Sequence, residues 1–101
     1  MVGDSPPDFV RELWLEVRSN AVDQAHRACR SAQAWALDGD RTAWDALAGD
    51  AHQLAGSLGS FGQWEAASAA AELDGLLQVE SPDPTAVVGA AVLLRDALDR
   101  T

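Results

Sequence analysis

Hydrophobic residues recur every three or four positions in separate stretches of the chain, which is the spacing of amphipathic helices. This pattern predicts helices over about residues 7–37, 41–58, 63–79 and 84–99. No stretch alternates with the period of a β-strand, and no internal repeat is present. Helices joined by short connections pack antiparallel. The sequence therefore predicts an all-α protein, an up-down antiparallel four-helix bundle, with one domain over residues 1–101.

Residues typical of helix ends occupy the predicted joints. Asp4 or Ser5, followed by prolines, is expected to cap the first helix. Gly39 suits the position just after that helix, and Asp40 suits the cap of the second. Asp83, directly before a proline, is expected to cap the last helix. The residues typical of helix ends and the helical periodicity thus predict the same element boundaries.

The first helix is predicted to be long, and its one weak point is residues 19–20, Ser-Asn, where it could kink or divide. His26 lies at the edge of the apolar stripe and is interpreted as a partly exposed surface histidine. Cys29 lies within the stripe and is predicted to be a small buried hydrophobe. As the single cysteine, it cannot form an internal disulfide, and no Cys–His metal spacing is present.

The second predicted helix carries the strongest candidate for chemistry, His52. This residue lies about 130° around the helix from the apolar stripe. Gly49, Gly56 and Gly59 share its outward side, and glycines inside a helix together forfeit roughly 3 kcal/mol relative to alanine. Glycine there is useful if another molecule must approach the backbone closely. The alternatives are a tolerated surface histidine and a frayed helix end. The stripe predicted to face the core consists of Trp44, Leu47, Ala51, Leu54, Leu58 and Phe61.

Residues 52–62, HQLAGSLGSFG, resemble the signature of the histidine-containing phosphotransfer (HPt) domain. That signature runs His-x-Leu-Lys-Gly-Ser, a small residue, two variable positions, an apolar residue and Gly. Ala55 stands where the family usually has Lys, and Leu58 stands where a small residue is commoner. Further along, Leu73-Asp74 resembles a Leu-acidic pair in which Glu is usual. The matching positions are His52, Leu54, Gly56, Ser57, Phe61 and Gly62.

The resemblance implies that His52 is phosphorylated and exchanges the group with the Asp of a response-regulator receiver domain, or with a hybrid histidine kinase. The receiver would bring Mg²⁺ and Lys, so no cofactor or metal of this chain's own is expected. Two alternatives stay open, a degenerate docking module that carries no phosphate and a plain helical dimerisation module. The residues expected to dock the partner are Asp45, Ala48, Gly49, Gln53, Ala55, Gly56, Gly59 and Trp64.

Composition excludes several other classes of function. The formal charge is −9, from 16 acidic and 7 basic residues, and every basic residue is Arg, so binding to nucleic acid is not expected. No apolar run reaches membrane-spanning length, and the first residues lack the features of a signal peptide, which favours the cytoplasm. No ATP-binding loop and no second catalytic group accompany His52. We therefore expect a monomeric phosphocarrier that is not an enzyme.

Overall fold

The computed structural model describes residues 8–101, so the predicted caps Asp4 and Ser5 lie outside it. It contains α1 (Asp8–Asp38), α2 (Arg41–Ser57), α3 (Trp64–Leu76) and α4 (Pro84–Asp99). A 3₁₀ turn, Leu58–Phe61, follows α2. No strand occurs within this range, and the all-α prediction is confirmed.

Each helix packs against its two neighbours, in the order α1, α2, α3, α4 and back to α1. Arg18 near the start of α1 donates to Thr101 beyond the end of α4 at 2.8 Å, whereas Cys29, further along α1, accepts from Arg95. The residue numbers therefore run in opposite directions in α1 and α4. Since short connections reverse the chain between the other helices, the arrangement is an up-down bundle.

Leucine and alanine supply most of the core. The inward positions of α1 are largely alanines, which allow α2 and α4 to approach its backbone closely. The predicted stripe of α2 does face the core: its leucines and Ala51 are buried, while Trp44 and Phe61 are half-buried and pack against the core margin. The largest fully buried side chains are Leu47, Leu54, Leu58, Leu73, Leu94, Leu98 and Val87.

The helix ends follow the local chemistry of the joints. Asp40 caps α2 by accepting hydrogen bonds from two backbone N–H groups, and Asp83 caps α4 by accepting one. Gly39 adopts a φ of +66°, the left-handed conformation that glycine allows after a helix. α1 continues through residues 19–20 without a break, and both of these polar residues are exposed.

α3 ends at Leu76, earlier than the predicted end at residue 79. Leu77 is the last residue of this segment that reaches the core, and Val79 is exposed. Continuing the helix would therefore have buried no further apolar surface. Within the described range, no helix combines the length and the apolar character needed to cross a membrane.

Candidate functional site

His52 lies in the second half of α2 and points away from the core. Its side chain is 81% exposed, while Ala51 and Leu54 on the other side of the helix are buried. Packing of the inward side of α2 against the core thus fixes the orientation of the helix about its axis. In that orientation, the imidazole faces solvent. An exposed neutral imidazole is a nucleophile near pH 7.

Two glycines flank His52 at about one turn on either side. Both Gly49 and Gly56 are exposed, and nothing from the rest of the fold lies within 4 Å of the place that a Cβ would occupy. The backbone beside the ring is therefore open. Gly59 differs, because a ring atom of Trp64 lies 3.4 Å from the place of its Cβ.

Asp74 of α3 is the charged group beside His52. Its Oδ2 lies 3.5 Å from Nδ1 of the imidazole, and its side chain is 21% exposed. The sequence singled out Asp74 only through its resemblance to a Leu-acidic pair, and nothing placed it next to the histidine. The available signal was its position directly after the buried Leu73, which puts it at the margin of a helix interface.

The residues predicted to dock a partner lie along the outward side of α2 and at the start of α3. Trp64 is 62% exposed and begins α3, close in sequence to the 3₁₀ turn. Asp45 is exposed and lies 3.5 Å from Arg41, one turn earlier. The exposed members of the set are Asp45, Gly49, Gln53, Gly56 and Trp64, and the half-buried ones are Ala48, Ala55 and Gly59.

Asp50, close to His52 in sequence, faces the opposite way and is buried against α1. Its carboxylate accepts hydrogen bonds from Nε and Nη2 of Arg27 at 3.1 and 3.0 Å and from Gln24 at 3.1 Å. These hydrogen bonds, and then the charge of Asp50, raise the pKa of the Arg27 guanidinium above its ordinary value. Gln24 also donates to Gln53 at 2.8 Å. This network joins α1 to α2 beside the site.

Sequence reasoning missed the Asp50 network, although one signal was present. Asp50 stands three residues after Leu47 and four before Leu54, both on the inward side of α2. A carboxylate at such a position needs hydrogen-bond donors when it is buried. The identity of the donors depends on α1, which contacts this residue from more than twenty positions away.

Apart from Arg41 at the start of α2, the helices that hold His52 and Asp74 carry no arginine or lysine. Ala55, where the HPt signature has Lys, is half-buried and leaves this part of α2 without a cation. Within residues 8–101, no cluster of three or more His, Cys, Asp or Glu side chains is arranged to hold a metal ion. The site is therefore an exposed imidazole beside one carboxylate.

A family model, the Hpt domain, matches residues 11–101 of the chain. The chain belongs to the Hpt domain family. No curated protein and no solved structure matches it. The family match covers every residue of the site described above, from Asp45 to Asp74. Membership makes this Hpt domain a phosphotransfer module of two-component signalling, in which such domains act as phosphocarriers and interact with receiver or kinase partners.

Proposed function

We propose that His52 of this Hpt domain accepts a phosphoryl group from a receiver Asp or a kinase and passes it to another receiver domain. The observation that carries this proposal is the exposed imidazole between the open backbone positions Gly49 and Gly56. Transfer between two proteins requires donor, phosphorus and acceptor to lie roughly in line. A ring that stands clear of the helix surface allows that geometry.

Asp74 supports the choice of the attacking atom. A carboxylate near Nδ1 favours the tautomer whose proton is on Nδ1, because that N–H can donate to it. The lone pair then lies on Nε2, at the outer edge of the ring. We therefore assign Nε2 as the phosphorylated atom and Asp74 as the residue that orients the imidazole.

The partner must supply the rest of the chemistry. Phosphoryl transfer needs cations on the equatorial oxygens of the moving group, and this face of the Hpt domain carries none. The receiver domain contributes its Asp, its metal ion and its Lys. The Hpt domain contributes the nucleophile and a surface that allows close approach.

The docking surface that we propose is the set of outward residues of α2 together with Trp64. A groove of about 200 Å³ between α1 and α2 adjoins it at Gln53 and Ser57. Trp14, Leu58 and Phe61 line the groove, so it offers apolar contact next to the polar face around His52. Exchange requires this surface to be uncovered, and we therefore propose that the domain works as a monomer.

Phosphorylation of His52 can be tested with the other histidine as a matched control. We expect wild-type protein, incubated with a phosphorylated receiver domain, to gain an acid-labile, base-stable phosphate. His52→Gln should gain none. His26→Gln should gain as much as wild type, because His26 lies on α1 and its ring contacts Asp99 at the end of α4 at 2.8 Å, away from the face of His52. Label that persists on His52→Gln would contradict the proposal.

A docking-only Hpt domain is the second candidate, and the observation that favours it is Ala55 in place of Lys. Loss of one exposed charge contact typically costs less than about 1 kcal/mol, which weakens transfer rather than abolishing it. The two candidates differ in one result. If the domain only docks, wild-type protein and His52→Gln should bind receivers with equal affinity, and neither protein should accept phosphate.

A further inference from the structure

We propose that the His52 site is built to release its phosphoryl group, because Asp74 and the lack of a nearby cation favour transfer onto the receiver Asp. This inference rests on the proposed function and concerns the position of its equilibrium. The domain would then be a donor that holds phosphate briefly rather than a store of it.

The charges around His52 are unevenly distributed. From α3, Asp74 faces the imidazole. From α1, Arg27 reaches this part of α2, but Asp50 on the far side of the helix binds its guanidinium through two hydrogen bonds. Along α2 itself, Arg41 lies three turns before His52 and next to Asp45. Within residues 8–101, no Arg forms an ion pair with Asp74, whose one ionic partner is His52.

A phosphoryl group adds about −1.5 to −2 charge at pH 7. On Nε2 of His52, that charge would lie across the imidazole ring from the Asp74 carboxylate, and like charges at such short range disfavour each other. On a receiver, the same group is bound by a metal ion and a cation. The difference between these two environments favours the phosphorylated receiver.

Asp74 also favours the bond-breaking step. When the carboxylate oxygen of a receiver Asp attacks phosphorus, a P–O bond forms and the bond from phosphorus to Nε2 breaks. The electron pair of the broken bond returns to Nε2. If Nδ1 carries a proton at that moment, the leaving group is neutral imidazole rather than an anion. The Asp74 carboxylate, 3.5 Å from Nδ1, is placed to accept a hydrogen bond from this N–H while the bond to Nε2 breaks.

The equilibrium can be measured with the receiver that exchanges label with wild-type protein. Labelled phosphate is allowed to distribute between the two proteins, starting from either one. We expect Asp74→Asn to shift the ratio toward phospho-His52 by about two- to five-fold, the range of an exposed charge interaction. Ala55→Lys should shift it the same way, because position 55 is one turn from His52 and the long Lys side chain can carry its ammonium group from this half-buried position to the exposed phosphoryl group.

Two variants serve as controls for the Asp74 substitution. Glu72→Gln removes the same charge from an exposed position on α3 that points to another side of the helix, so the ratio should stay at the wild-type value. Asp74→Glu retains the carboxylate and should retain the wild-type ratio. An equal shift in Glu72→Gln and Asp74→Asn would assign the effect to net charge and overturn the inference.

A second measurement needs no receiver. The isolated domain is phosphorylated with phosphoramidate, and the lifetime of phospho-His52 is followed across pH. Because the leaving ring needs a proton on Nδ1, Asp74→Asn should lengthen the lifetime at neutral pH. Glu72→Gln should follow the wild-type profile. Wild-type protein that takes no phosphate would overturn the proposed function, whereas a phosphorylated Asp74→Asn with unchanged ratio and profile would overturn only this inference.

Discussion

His26 and His52 each lie beside a carboxylate, but only His52 has open backbone around it. One turn before and after His26 stand Val22 and Arg30, which are larger than the residues at the same spacing from His52. The corresponding places around His52 are Ala48 and Gly56, and Gly49 follows Ala48, so only small residues stand there. A partner can therefore reach His52 along the helix surface. At the scale of single residues, the neighbours one turn away distinguish a candidate phosphorylation site from a surface histidine.

The flanking glycines can be tested by filling one of them. We expect Gly56→Leu to stabilise the domain by about 0.5–1 kcal/mol, because leucine is a better helix former and no atom blocks its Cβ. The same change should slow phosphotransfer on the order of 100-fold by displacing the partner from His52. Chemical denaturation and the rate of label transfer measure the two effects.

Gly89 on α4 provides the matched control for Gly56. It is also exposed and has open space at the place of its Cβ, but α4 does not contact α2. Gly89→Leu should give a similar gain in stability with an unchanged rate of transfer. A normal rate in Gly56→Leu would remove the explanation offered here for the glycines.

At the scale of elements, α2 depends on its N-terminal cap. Asp40 Oδ1 accepts hydrogen bonds from the backbone N–H groups of Thr42 and Ala43 at 2.9 and 3.2 Å. These donors have no partner within the helix, so the cap removes part of the cost of starting it. His52 lies in the same helix, and the orientation of its ring follows the orientation of α2.

Asp40→Ala is expected to lower the free energy of unfolding by about 1 kcal/mol, the usual cost of losing a helix cap. Asp38→Ala is the control: Asp38 is the last residue of α1, where a negative charge opposes the helix dipole, so its removal should be neutral or slightly stabilising. Denaturant titrations of both variants give the comparison. Equal destabilisation by the two changes would contradict the role assigned to the cap.

At the scale of the whole molecule, the hydrogen-bond network of Asp50 fixes α2 against α1. The Asp50 side chain is only 10% exposed, whereas that of Arg27 is 55% exposed. Removing Arg27 and removing Asp50 should therefore have different effects on the free energy of unfolding. If Asp50 is removed, water can solvate the exposed guanidinium of Arg27. If Arg27 is removed, the buried carboxylate of Asp50 stays out of reach of water.

We expect Arg27→Met to lower the free energy of unfolding by about 2–3 kcal/mol, since a buried carboxylate then keeps only the hydrogen bond from Gln24. Asp50→Leu should cost less than about 1 kcal/mol, because it leaves no buried charge. Arg11→Met, which removes an exposed pair with Asp8, should have no measurable effect. Denaturation midpoints decide the order, and a larger cost for Asp50→Leu than for Arg27→Met would contradict this account.

The outward position of His52 and the caps at Asp40 and Asp83 could be predicted because each depends on residues within about one turn of the chain. The end of α3 was predicted too late. Helical spacing continues to Val79, but the core that would reward a longer helix stops at Leu77. Burial, rather than local pattern, decided that boundary.

The sequence by itself determined the helices, their inward faces and the side of α2 on which His52 lies, since a helix places residues by their spacing alone. Only the tertiary structure decided which groups meet across helices: Asp74 beside His52, 22 positions away, and Arg27 on Asp50, 23 positions away. These contacts depend on how far each helix is rotated and shifted against the next. The packing of the whole leucine and alanine core sets that alignment, and no local stretch of sequence contains it.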